Sequence, residues 1–266
     1  MLDSFFVKLS LFFYYFSGMK KIIIIPLLIL LVFTCNAHKL IIQKDSLKKN
    51  SESLVIKKRL TIKSQIIPLS LMAASGIIYA TNIRNGIQDK LGNLTHTKID
   101  DYIQYIPDVT VYFAHFLGCE HKNSLWNTTK YLAMSQILTA VFVQSVKRIT
   151  NISRPYGGKY TFPSGHTSQA FVGATAQYHE FKDYDKIFAY CGYVFASAVG
   201  IMRVTNNNHW STDVLFGAGL GMLITNLVYY FEPFKEWNPF KKKKFAITPS
   251  LNYYGSTAML GVNITL

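Results

Sequence analysis

Charge is scarce in this 266-residue chain: only 16% of residues are Asp, Glu, Lys or Arg, against roughly 25% in an average soluble domain. Acidic residues are scarcer still, 14 against 28 Lys+Arg, which leaves a formal charge of +14 at pH 7. Half of the residues are hydrophobic and 15% are aromatic, so a disordered chain, a coiled coil and a collagen-like protein are excluded. Cysteine is limited to Cys35, Cys119 and Cys191, with no CxxC spacing, so there is no zinc-ligand signal. Cys119 and Cys191 lie in apolar stretches and read as small core residues. There is no internal repeat, no low-complexity tract beyond Lys241–Lys244, and no segment with 20 uninterrupted apolar residues. The basic residues cluster at 39–65 and 241–244 instead of lining one face. That distribution favours a membrane protein with basic ends near anionic surfaces, and no nucleic-acid partner.

Met19-Lys20-Lys21, the apolar run Ile22 to Thr34, and Cys35-Asn36-Ala37 form the pattern of a secretory signal or an N-terminal anchor over 1–37. Residues 38–65 are basic and polar. Apolar helical segments are expected at about 66–81, 106–119, 130–147, 167–180, 186–203 and 211–231, so 66–235 reads as one helical domain. Arg84-Asn85-Gly86 and Lys182-Asp183-Tyr184-Asp185 read as polar connectors. In the tail, 241–266, a basic run precedes two stretches of period-two alternation around Gly255-Ser256-Thr257, which predict a small β-hairpin. The expected fold is an all-α, membrane-associated bundle of about six helices with that C-terminal hairpin.

Three clusters carry chemistry. Lys147 and Arg154-Pro155 are separated by six residues, and two cations so placed can converge on one anion. In Pro163-Ser164-Gly165-His166, a helix start presents backbone N–H groups beside a titratable ring. Arg203, His209 and Asp213 follow the spacing Arg-x5-His-x3-Asp. Asp213, four residues after His209, can hold one imidazole nitrogen and leave the other free as a nucleophile. Three cations, two histidines, one carboxylate and a helix start suit phosphoryl transfer without a metal.

Taken together and in order, these motifs resemble the type 2 phosphatidic acid phosphatase and vanadium haloperoxidase superfamily, across roughly residues 66–231. The resemblance implies that Lys147, Arg154 and Arg203 bind phosphate oxygens, helped by Ser164 and the Gly165 backbone. His209 would form a phosphohistidine, Asp213 would orient it, and His166 would protonate the leaving alcohol and then activate water. No cofactor or metal is implied. The sequence departs from the family pattern at Met202, where Ser is common, and the Pro155–Pro163 loop is short.

The expected function is therefore a metal-independent phosphatase acting on a lipid phosphate monoester or pyrophosphate, in a bacterial-type inner membrane with the site facing the periplasm or exterior. A secreted soluble acid phosphatase, a vanadate-dependent haloperoxidase and a non-catalytic membrane protein are the alternatives. His96, His115, His121 and His179 have no partner spacing and read as surface or satisfied core residues. Asp100-Asp101 reads as a loop or helix-cap feature, because neighbouring side chains diverge, with lining of the site as the lesser alternative. Trp210 is placed to wall the pocket beside His209. The glycosylation sequons at Asn93, Asn127, Asn151 and Asn263 are treated as compositional accidents.

Overall fold

The computed structural model describes residues 63–81, 83–239, 246–254 and 257–265. The expectations for 1–37, for nearly all of 38–65 and for Lys241–Lys244 lie outside the described residues. Eight helices are present among them: α1 Lys63–Ala80, α2 Ile83–Leu91, α3 Asp100–Ile103, α4 Ile106–Phe116, α5 Leu125–Thr150, α6 Gly165–Phe181, α7 Lys186–Thr205 and α8 Ser211–Phe231. The all-α expectation stands, with two helices more than expected. The additions are short. Arg84-Asn85-Gly86, read as a connector, lies within α2, and Asp100-Asp101 opens α3. Neither has the length for a periodic pattern to show.

Local chemistry sets the helix ends. Ser124 accepts a hydrogen bond from the Asn127 N–H at the start of α5, and Asp185 accepts one from Phe188 N–H at the start of α7. Asn151 closes α5 in the left-handed conformation. The carboxylate of Asp213, third residue of α8, accepts the Trp210 N–H at the start of that helix.

Helix α6 is the centre of the bundle, packed against α4, α5, α7 and α8, while α1 lies along α8. One core cluster joins Tyr131 and Leu132 of α5 to Val172 and Ala176 of α6 and Val228 and Tyr229 of α8. A second joins Ala170 and Ala174 of α6 to Ala196 and Val199 of α7. The polarity of the helices is inverted. Along α5, Thr128, Ser135 and Thr139 are buried, whereas Ile137, Leu138, Val141 and Phe142 face outward. Helix α6 buries Thr167, Ser168, Thr175, Gln177 and Glu180. Hence no stretch of the sequence is cleanly apolar. Among the described residues two helices, α7 and α8, are long and apolar enough to cross a membrane; a third span results if α1 and α2, bent by 94°, count as one.

Cys119 is disulfide-bonded and Cys191 is free. Cys119 also packs, partly buried, against the core cluster of Val111, Ala114, Phe181, Phe188 and Ala189, and no bond joins it to Cys191. The residues from Phe234 onward form a separate unit. Within it Ala246–Tyr254 and Thr257–Thr265 pair antiparallel, with Ala246 opposite Thr265 and Tyr254 opposite Thr257.

Candidate active site

The three motifs meet at one end of the bundle, where α5 and α7 finish and α6 and α8 begin. His209, 1% exposed, sits in the loop before α8. Its Nδ1 lies 3.2 Å from Asp213 Oδ2. The same Oδ2 accepts the Trp210 N–H at 3.0 Å and the Thr161 hydroxyl. Thr161 Oγ1 is also 3.1 Å from His209 Nδ1. With Nδ1 committed to a carboxylate, Nε2 is the free nitrogen. Burial is the main cause that lowers the His209 pKa to about 4; Lys147 and Arg203 push the same way and Asp213 opposes them. The ring is therefore neutral near pH 7, as a nucleophile must be.

The cations stand around it. Lys147, on the last turns of α5, donates from Nζ to the Tyr160 carbonyl at 2.8 Å and to that of Thr161 at 3.1 Å. Burial, reinforced by Arg154, lowers its pKa to about 8. Arg154 Nη1 donates to the Asn208 carbonyl, next to His209, at 3.4 Å. Arg203, 6% exposed, ends α7 and pairs through Nη1 with Asp100 Oδ2 at 2.7 Å and Asp101 Oδ1 at 3.5 Å. Its Nε is buried without a hydrogen-bond partner, an unmet donor that an anion would satisfy.

Helix α6 presents its N-terminus here. The first bond back into it runs from Ser168 N–H to the Ser164 carbonyl, so the N–H groups of Gly165, His166 and Thr167 precede the intrahelical ladder. Ser164 is fully buried, its hydroxyl 2.9 Å from Thr167 Oγ1 and its N–H given to the Asp213 carbonyl. Its backbone thus joins motif two to motif three. Gly217 of α8 makes this approach possible: a Cβ there would stand 2.7 Å from the Ser164 carbonyl oxygen. His166 Nε2 lies 3.0 Å from Asp101 Oδ1. Burial first, then Arg203, lowers its pKa, while Asp101 and Asp100 raise it.

All eight singled-out residues, Lys147, Arg154, Ser164, Gly165, His166, Arg203, His209 and Asp213, are thereby brought to one end of the bundle. Three further residues take part, of which Asp100 and Asp101 were only the lesser reading and Thr161 was not expected. Asp100 and Asp101, read as a loop or cap feature, pair with Arg203 and His166. They reach the site from different angles because the chain turns at the start of α3. Thr161 had no sequence signal beyond its nearness to Pro163. No group of three or more His, Cys, Asp or Glu suited to a metal occurs among the described residues.

Residues 143–237 match the PAP2 superfamily model. The chain carries a PAP2 superfamily domain. Lipid A 1-phosphatase of Porphyromonas gingivalis is 33% identical over 166 residues, which are 61% of this chain and 37% of that protein. The chain thus spans little more than a third of that relative's length. Among solved structures, Aquifex aeolicus LpxE aligns at 22% identity and a TM-score of 0.44, over 54% of this chain and 93% of that one. A transmembrane PAP2 type phosphatidylglycerolphosphate phosphatase from Bacillus subtilis aligns at 19% and 0.45, over 68% and 98%. The matched PAP2 segment begins within α5, four residues before Lys147, and includes all three motifs.

Proposed function

We propose that this PAP2 protein is a metal-independent phosphatase that hydrolyses a lipid phosphate monoester or pyrophosphate through a phosphohistidine. The observation that carries the reading is the buried His209–Asp213 pair set among Lys147, Arg154 and Arg203. The neutral Nε2 attacks phosphorus as the bond to the leaving oxygen breaks. Lys147, Arg154, Arg203 and the first N–H groups of α6 take the equatorial oxygens. Asp213 holds the Nδ1–H and stabilises the positive charge that grows on the ring. His166, protonated, gives its proton to the leaving alkoxide. As a neutral base it then takes one from the water that cleaves the phosphorus–nitrogen bond, which restores both histidines.

The lipid assignment is supported by the similarity to the lipid A 1-phosphatase of Porphyromonas gingivalis and by the outward apolar faces of α5 and α7. A site at the ends of such helices meets a headgroup at the membrane surface while acyl or prenyl chains stay in the bilayer. We place that end at the periplasmic or exterior face. A cysteine at Lys159, in the exposed loop of the site, is expected to label above the parent chain with an impermeant reagent in intact spheroplasts. Labelling only after lysis places the site in the cytoplasm.

The test of the chemistry is phosphate release by the full chain in detergent from a panel of lipid and soluble phosphates, with excess chelator. Release from lipid phosphates that resists chelator, inhibition by vanadate, and an acid-labile phosphoenzyme absent from His209→Ala are expected. Activity lost to chelator and restored by magnesium, or kept in full by His209→Ala, overturns the proposal. Equal turnover of small esters favours the soluble phosphatase.

A further inference from the structure

The loop that carries His209 is braced from outside by residues that the chemistry above does not use. The segment from Arg203 to His209 closes on itself: the N–H groups of Asn208 and His209 both donate to the Arg203 carbonyl at 3.1 Å. A displacement of this loop therefore moves Arg203 and His209 together. Buried Gln88 of α2 donates from Nε2 to the Val204 carbonyl at 3.2 Å and to Asn207 Oδ1 at 2.6 Å. The Thr95 N–H donates to the Thr205 carbonyl at 3.2 Å, and the Thr95 hydroxyl to Asn206 Oδ1 at 2.7 Å. Buried Ser75 of α1 gives its hydroxyl to the Thr212 carbonyl at 2.9 Å, in the first turn of α8. These bracing residues all precede the matched PAP2 segment, which begins at residue 143.

Arg84 of α2 makes a different kind of contact. Its guanidinium carbon stands 4.3 Å from the centroid of the Tyr79 ring and 4.7 Å from that of Trp210, both within cation–π range. Its Nε and Nη1 are buried with no hydrogen-bond partner among the described residues. The two rings are thus its printed partners, and a planar, weakly hydrated guanidinium suits that place where a lysine ammonium does not. Trp210 passes the contact inward. Its N–H donates to Asp213 Oδ2 at 3.0 Å, and the same oxygen faces His209 Nδ1 at 3.2 Å. Its indole Nε1–H donates to the Ser153 carbonyl at 2.9 Å, one residue before Arg154. One side chain therefore ties the first motif to the third, and α2 holds its ring.

We propose that Arg84 and Trp210 form a positioning clamp: Arg84, stacked on the indole, fixes the loop that sets the geometry of His209 and Asp213, and acts through Trp210 instead of on the substrate. Its effect on catalysis rests on the phosphatase reading. The first arm of the test measures turnover of phosphatidic acid by the full chain in mixed micelles. Arg84→Met is expected to lower kcat about tenfold with KM little changed, since a small misplacement of a catalytic group costs rate. Arg84→Lys keeps the charge without the plane and is expected to show most of the same loss. In a Trp210→Ala background, Arg84→Met is expected to cost less than about twofold, because the partner it acts through is gone. A raised KM with kcat unchanged, full rescue by Lys, or an equal loss in both backgrounds makes Arg84 a substrate contact and overturns the clamp. The second arm needs no turnover. The N–H groups of residues 206–210 are all hydrogen-bonded. Their hydrogen exchange in detergent is expected to quicken about tenfold in Arg84→Met, while α6 keeps its rate. That result in a chain that releases no phosphate supports the clamp and fails only the phosphatase reading. Unchanged exchange at 206–210, or exchange that quickens equally in α6, overturns the clamp.

Discussion

His166 Nε2 lies 3.0 Å from Asp101 Oδ1, and that contact ties the start of α6 to the short helix α3. Arg203 leans on the same acidic pair. α3 thus supplies negative charge that steadies both Arg203 and His166. Asp101 raises the His166 pKa against burial and Arg203. In the proposed mechanism the leaving group takes its proton from His166, which predicts that the basic limb of kcat/KM follows the free-enzyme His166 pKa. Asp101→Asn removes a raising influence, and the basic limb is expected to move to lower pH. The measurement is the kcat/KM profile of both proteins on one substrate, which cancels the ionisation of the phosphate itself. A limb that stays in place sinks the assignment of His166.

Thr161 is a positioning residue, because it acts through Asp213 and His209. Thr161→Val keeps the shape and deletes the hydroxyl. A buried hydrogen bond to a charged group is worth about 1.5–3 kcal/mol, so kcat is expected to fall roughly 10- to 100-fold with KM little changed. Thr161→Ser is expected to restore most of the rate. Equal defects in Val and Ser would show that packing alone matters.

His209→Ala is expected to abolish turnover while the protein still folds. Asp213→Asn costs less, and Arg203→Ala costs on the order of 10²–10³ in rate, by analogy with other oxyanion donors.

Stability carries a signature of the same ring. The folded His209 pKa is about 4, whereas an unfolded histidine titrates near 6.5. Between these values the unfolded chain binds more protons, so stability is full above about pH 6.5 and falls as pH drops towards 4. The melting temperature in detergent is expected to decline over that window less steeply in His209→Ala than in the parent. Parallel slopes contradict a buried neutral His209.

Gly217→Ala places a methyl 2.7 Å from the Ser164 carbonyl oxygen and 2.9 Å from Ser168 Oγ. Overpacking of this kind costs about 1–3 kcal/mol. A lowered melting temperature is expected together with reduced kcat/KM, because the strained contact is the start of α6. An unchanged melting temperature would mean that α8 and α6 separate freely.

The long helices were legible because their apolar positions recur, and the reactive residues because chemistry constrains their types and spacings. Lys147, Arg154, His166, Arg203, His209 and Asp213 stood out before any coordinates, since two cations seven positions apart and a His–Asp pair four apart each imply a shared target. The rest needed the fold. α2 and α3 are too short for a period to register, and their roles depend on what packs against them. Asp100 and Asp101 diverge along the chain, and only the return of α7 brings Arg203 onto them. Thr161 is one more threonine until the Lys147-held loop lays its hydroxyl on Asp213. The polar residues within α5 and α6 obscured the outward apolar face in any linear average, and the direction in which each side chain points is a property of the assembled bundle. Sequence by itself determined which groups can react; tertiary structure decided which of them meet, because contacts between distant segments follow from packing and not from spacing.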